Sequence, residues 1–216
     1  MAPPRSPGTA APQHLPSTEG PYGVIAGANP IFGPAFTVRN RIGRALWGIA
    51  YVLAFRPSPR PLHAWRALLL RAFGARLGRH VHVYPRAQIW APWNLEIGDW
   101  VAVADGVNVY NMATIRIGDY SMVSAGTHLC GGSHDADSAN FQLVAKPITI
   151  APYVWICAEA FIAPGVNVPE GAVIAARAVV TRSPSNSWTV YAGVPARPIR
   201  ARAPNLKQHM QSAARA

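Results

Sequence analysis

Aliphatic residues recur every six positions through the middle of the chain. They stand at Val83, Ile89 and Leu95, then at Ile97, Val103, Val109 and Ile115, and again at Ile117, Val123 and Leu129. After a gap they resume at Ile150, Ile156, Ile162, Val168, Ile174 and Val180. Four residues beyond a rung comes a small or β-branched residue, such as Val101, Ala113, Ser121, Thr127 or Ala160. A period of six fits neither an α-helix nor a plain strand. It is a hexapeptide repeat, and it predicts a β-helix with three strands per coil.

The spacing assigns the faces. Face A stacks Leu95/Ile97, Ile115/Ile117, Ile148/Ile150 and Val168. Face B stacks Val83, Val103, Val123, Ile156 and Ile174. Face C stacks Ile89, Val109, Leu129, Ile162 and Val180. One coil cannot bury its own apolar face, so several must stack. One coil carries an insertion at residues 131–146, between faces C and A. A regular solenoid that carries one long loop is using it.

Before the ladder, Ile42, Leu46, Ile49 and Leu53 recur at helical spacing, with Thr37 or Asn40 as cap. Pro57, Pro59 and Pro61 stop that helix. Trp65, Leu68, Leu69 and Phe73 mark a second helix. The chain therefore divides into a Pro/Gly-rich tail (1–35, expected disordered), a basic amphipathic helical hairpin (36–80) and the β-helix (81–183). A closing strand and turn segment (184–202) and a polar tail (203–216) follow. The fold class is an all-β solenoid with an N-terminal α-helical hairpin.

The chain has 216 residues and a formal net charge of +11. Such a balance suits anionic partners. The excess lies mostly outside the ladder, and no zinc-finger, helix-turn-helix or RNA-binding pattern is present, so nucleic acid is not expected. Two cysteines, Cys130 and Cys157, suit a reducing compartment; they lie on different faces, so no disulfide is expected. No apolar leader and no run of about 20 apolar residues is seen, which predicts a cytoplasmic protein. The hairpin could cap the open end of the β-helix, rest on the inner face of an anionic membrane, or do both.

The insertion reads Gly131-Gly132-Ser133-His134-Asp135-Ala136-Asp137. A histidine titrates near neutrality and can take a proton from a hydroxyl, so His134 is the candidate base. Asp135 or Asp137 could support it. One coil below lies Asn111, flanked by the outward Asn108 and Tyr110; these make a candidate polar-ligand cleft. Asn111 could equally satisfy corner backbone. Trp155 on face B and Arg182, Arg197 and Arg200 near the C-terminal end suit a ligand with phosphates and a base.

Taken together, the ladder, the Ser133-His134-Asp135 loop, Val154-Trp155-Ile156 and Ala192-Gly193-Val194-Pro195-Ala196-Arg197 resemble the hexapeptide-repeat O-acetyltransferases. Asn40-Arg41-Ile42-Gly43-Arg44, Phe55 to Leu62, and Ile89-Trp90-Ala91-Pro92-Trp93-Asn94-Leu95 resemble the colanic acid biosynthesis branch. The resemblance implies a left-handed β-helix and a homotrimer with sites between subunits. It implies acetyl-CoA as donor, no metal, and a saccharide hydroxyl as acceptor; polysaccharide building blocks, lipid-linked sugars and small glycosides all stay open, with the basic hairpin leaning toward a lipid-linked one. His134 matches the family's base. Ala158 and Ala176 match positions that meet the CoA arm. Thr181, Arg182, Arg197 and Arg200 match positions near CoA, with Arg182 where Lys is common. A second reading on the same solenoid is a zinc hydratase of the gamma carbonic anhydrase type, with His80, His82, His128 and His134 as available ligands.

Overall fold

A computed structural model describes residues 18–31 and 33–203. Its body is a parallel β-solenoid of three sheets, with five, seven and five strands. The register sets every rung on the one expected. On face B, Val83 pairs with Val103, Val103 with Val123, Val123 with Ile156 and Ile156 with Ile174. On face C, Ile89, Val109, Leu129, Ile162 and Val180 stack in turn. On face A, Ile97, Ile117, Ile150 and Val168 do the same. The rungs and their small corner partners are buried and form one continuous core.

The ladder is longer than its sequence pattern. It begins at Arg76–Leu77, where Leu77 pairs with Ile97. It ends with Thr189–Ala192, parallel to Val173–Ile174 and setting Tyr191 on Ile174. Beyond the turn-rich segment that opens at Ala192, the chain folds back as a strand, Arg197–Ala201, antiparallel to that last one, which the sequence pattern did not mark. One corner is built from left-handed backbone at non-glycine residues: His80, Trp100, Tyr120 and Tyr153 have φ of 54–62°. That conformation is costly for bulky side chains. Ring stacking helps offset it, with His80 4.0 Å from Trp100 and Tyr120 5.2 Å from Tyr153.

Helix α1 spans Val38–Ala50 and continues into one π-helical turn, Tyr51–Phe55. The Thr37 hydroxyl caps it by accepting the Asn40 N–H. Helix α2 spans His63–Ala72. The packing reverses what the apolar stripe suggested for α1. Ile42, Leu46, Ile49 and Leu53 are 55–73% exposed, while Trp47 and Phe55 on the other side are buried. Trp47 and Phe55 join the solenoid core, as does Leu70 of α2. The Trp47 indole also donates to the Ile89 carbonyl at 2.7 Å. The aromatics have more area to bury at the open end than the aliphatic stripe does, so they take the inner position. In α2, Trp65 and Leu68 are likewise exposed, whereas Leu69 and Phe73 pack against the core.

Arg66 is fully buried and holds the interhelical loop. Its guanidinium donates to the Val83, Pro59 and Arg60 carbonyls and to Ser58 Oγ. Those acceptors compensate a desolvated cation that has no carboxylate partner.

Part of the N-terminal region expected as a loose tail makes defined contacts, from residue 18 on among the described residues. Thr18–Glu19 pairs with Ile25–Ala26, and Val24 is buried beside Met112 and Leu143. These are tertiary contacts with no periodic signature, which is why the sequence did not show them. The rest of that tail, and residues 204–216, lie outside the described residues.

Candidate active site

The insertion folds as a β-hairpin. Gly132–His134 pairs antiparallel with Leu143–Ala145, with His134 opposite Leu143. Its root is fixed. Leu143 is buried against Met112 and Val24, and a Cβ at Gly132 would collide with the Met112 side chain. Gln142 ties the hairpin to the N-terminal segment, accepting from the Gly27 N–H and donating to the Ile25 carbonyl. Nothing in the local sequence marks Gln142, since its partners lie more than a hundred residues away.

At the end of its strand His134 is exposed, and its Nδ1 lies 2.8 Å from the Phe141 carbonyl oxygen. A carbonyl can only accept. Nδ1 must therefore carry the proton, which leaves the Nε2 lone pair free to act as a base. The ring's partner is thus a backbone carbonyl. The Asp135 carboxylate accepts the Asp137 N–H and shapes the turn, and its carbonyl accepts the Ser138 hydroxyl.

The outward residues of face C form two columns. Gln88, Asn108, His128 and Phe161 lie in register, and Tyr110 is in register with Cys130. Trp90 packs on Tyr110, and His128 packs between Tyr110 and Phe161. Asn108 and Tyr110 are half-buried on this surface. Asn111 corrects the sequence reading. It is wholly buried, accepting the Ala91 N–H at 2.9 Å and donating to the Ala91 carbonyl at 2.6 Å. Asn94 backs it by donating to the Asn111 and Met112 carbonyls. Both amides complete a corner, so Asn111 has no free group for a ligand.

The residues matched to the CoA side lie elsewhere on the chain. Ala158 and Ala176 follow the face B rungs Ile156 and Ile174 and sit at the B–C corner, one coil apart. Among the described residues neither backbone N–H has an acceptor. Trp155 stands outward on face B and donates to Ser124 Oγ at 3.0 Å. Thr181 and Arg182 are exposed at the C–A corner, beyond the last face C rung. Arg197 and Arg200 are exposed on the final antiparallel strand. One residue was missed: Arg202 donates to the Tyr153 and Gly171 carbonyls and pins the C-terminal segment across two coils. A single chain therefore carries His134 on one corner and Ala158 and Ala176 on another. Each side of the triangle is roughly 15 Å by the rise of its strand residues.

Both cysteines are free, and burial pushes each thiol above its ordinary range, so neither is poised as a nucleophile. Among the described residues no three His, Cys, Asp or Glu side chains come together as a metal site. Of the histidines weighed for zinc, His80 stacks on Trp100, His82 on His63, and His128 packs among aromatics. Among the described residues of one chain these side chains do not come together as a metal-ligand set.

No family model matches the chain. It is 42% identical over 164 residues to WcaF of Escherichia coli K12, named for a colanic acid biosynthesis acetyltransferase; the match covers 76% of this chain and 89% of WcaF. It is 30% identical over 139 residues to the galactoside O-acetyltransferase of E. coli K12, covering 62% and 68%. Among solved structures, a hexapeptide-repeat acetyltransferase of Vibrio cholerae with acetyl coenzyme A superposes with a TM-score of 0.69 at 25% identity, over 77% of this chain and 91% of that one. This chain belongs to the hexapeptide-repeat acetyltransferases, in the branch of WcaF.

Proposed function

We propose that the protein transfers an acetyl group from acetyl-CoA to a sugar hydroxyl, as a trimer, with His134 as general base. The observation that carries this reading is the 2.8 Å contact of His134 Nδ1 with the Phe141 carbonyl, which in the neutral ring places the proton on Nδ1 and leaves Nε2 free. Nε2 takes the hydroxyl proton as that oxygen attacks the thioester carbonyl. The tetrahedral intermediate collapses, the C–S bond breaks, and the CoA thiolate recovers the proton from the imidazolium. No acyl-enzyme forms. The unpaired N–H of Ala158 is suited to stabilise the oxyanion.

The trimer is supported by the placement of the two half-sites. His134 and the Ala158–Ala176 edge occupy different corners of one triangular prism. A threefold assembly lets one protomer's hairpin meet its neighbour's B–C corner. Arg182, Arg197 and Arg200 then supply cations for the CoA phosphates, and Trp155 offers a stacking face. A sugar acceptor follows from the relatives: WcaF carries the name of a polysaccharide pathway, and the galactoside enzyme carries that of a sugar. Asn108 and Tyr110 are outward polar groups on face C, on the strand next to the one that leads into the hairpin.

The helical hairpin adds a membrane reading. Its outward face is apolar and its charges are all arginine, which suits contact with an anionic bilayer at the cytoplasmic side. No helix among the described residues is long and apolar enough to cross a membrane.

The test is turnover of acetyl-CoA by His134→Ala with galactosides and nucleotide sugars as acceptors. Loss of roughly 10²–10⁴-fold with unchanged CoA affinity is expected. Near-normal turnover would remove His134 as the base.

A further inference from the structure

A large cavity among the described residues lies away from the hairpin. It lies between α1 and the outer surface of face C, with a volume of about 1110 Å³. Four guanidinium-bearing residues line it: Arg41, Arg44, Arg56 and Arg86. None of the four forms an ion pair among the described residues. The Asp105 carboxylate, beside Arg86, is committed to Arg60 at 3.3 Å and to the Arg86 backbone N–H. No acidic residue occurs anywhere between Glu19 and Glu96, a stretch that holds ten arginines.

The walls are as specific as the charge. Arg44 lies 4.2 Å from the Trp90 ring centroid and 5.5 Å from that of Phe36, and burial lowers its pKa from the ordinary value. Arginine stays protonated in such a place, so the cation is held on aromatic faces without a counter-charge. Asn108 and Gln88 add amides at the floor. Phe36 and Trp90 also pack on the small core formed by Met112 and Leu143, and Leu143 is the residue opposite His134. The cavity and the base thus share one wall.

We infer that this cavity binds the diphosphate of a diphosphate-linked saccharide acceptor, with Trp90 and Phe36 against its sugar. The inference rests on the acetyl-transfer reading and names its substrate class. Four unpaired cations exceed what a neutral sugar or one carboxylate needs. A diphosphate accepts bidentate bonds from several guanidiniums at once. The volume takes more than a single hexose. Either a nucleotide sugar or a polyprenyl-linked saccharide would present this group.

The experiment is calorimetric titration of the full chain and of a double variant, Arg44→Gln with Arg86→Gln. The ligands are inorganic pyrophosphate, sulfate and glucuronic acid at equal ionic strength. Pyrophosphate should bind the native chain at least tenfold more tightly than sulfate or glucuronate, and the double variant should lose roughly tenfold or more. Equal binding of the three anions, or no loss in the variant, overturns the proposal. CoA affinity, measured in both proteins, should be unchanged and reports that the variant is folded. If the native chain binds pyrophosphate but not acetyl-CoA, the acetyl-transfer reading falls and the anion site stands. If CoA displaces pyrophosphate competitively, the cavity belongs to the donor and the proposal falls. UDP-glucose and vesicles doped with a polyprenyl diphosphate, against undoped vesicles, separate the two sources. Binding of either supports the site, and binding of neither overturns it.

Discussion

The solenoid and the helical hairpin both display regular apolar spacing, yet only the solenoid buries the residues that spacing marks. A coil is closed. Its rung residues point inward or the coil cannot form, and each sits over the one below. A helix has a full circumference. In α1 the aliphatic stripe and the aromatic set Trp47, Tyr51 and Phe55 lie on opposite sides, and both could be an inner face. The end of the solenoid chose the aromatics. Periodicity determines packing where topology leaves one option, and only proposes it where two remain.

The sharpest way to break this comparison is to truncate one inner residue in each region. Trp47→Ala removes a buried aromatic, its contacts with Phe55 at 5.6 Å and Phe73 at 5.2 Å, and its bond to the Ile89 carbonyl. A loss of about 3–5 kcal/mol is expected, and Leu129→Ala at the centre of face C should lose about 2–5. Chemical denaturation of each variant reads both. If Trp47→Ala cost no more than an exposed change, the hairpin would not be part of the core.

The legible part of the molecule follows from the same contrast. The rungs from Val83 to Val180 and the place of the insertion could be read, because hexapeptide spacing maps residue number directly onto face and level; the end rungs Leu77 and Tyr191 fall outside that spacing. The place of His134 in the one long insertion was legible. Its partner was not: the Phe141 carbonyl carries no side-chain signal, and Asp135 looked better in sequence than it is in space. Asn111 was ambiguous because an asparagine at a corner serves backbone or ligand equally well, and burial alone decides it. The contacts of Gln142 and Arg202 join segments far apart in the chain, and no local pattern announces them.

A middle-sized test concerns the outer surface of face C. His128 sits between Tyr110 and Phe161 with its Nε2 buried and unpartnered, and burial lowers its pKa below the ordinary histidine value. The unfolded chain takes up a proton near pH 6.5, while the folded chain resists it. Stability is therefore lost as pH falls below about 6.5, at no more than ~1.4 kcal/mol per pH unit, until the folded-state pKa is reached. His63, whose pKa burial also lowers, adds to the same slope. Glu96 and Asp99, held low by their arginine partners, contribute in the same direction at lower pH. His128→Phe should flatten, without abolishing, the dependence of the urea midpoint between pH 7.5 and 5.5. An unchanged slope would show that His128 is protonated as easily folded as unfolded.

The smallest stability effect belongs to the outer stripe, and there the smallness is informative. Leu46 and Ile49 are 55% and 59% exposed. Leu46→Ser with Ile49→Ser should change stability by no more than ~0.5 kcal/mol per site, because neither residue leaves the core short of contacts. The residues would still be expensive to leave facing water over so broad a face, since monomers rarely expose large contiguous apolar patches. With Arg39 and Arg56 at the ends of that face and no acidic residue in the hairpin's own sequence, an anionic bilayer would suit it better than a neutral protein surface. The double variant should lose most of its co-sedimentation with anionic vesicles while keeping its oligomeric mass. If the mass falls and vesicle binding does not change, the stripe is a contact between copies of the chain. The helical end would then be an assembly surface of this chain.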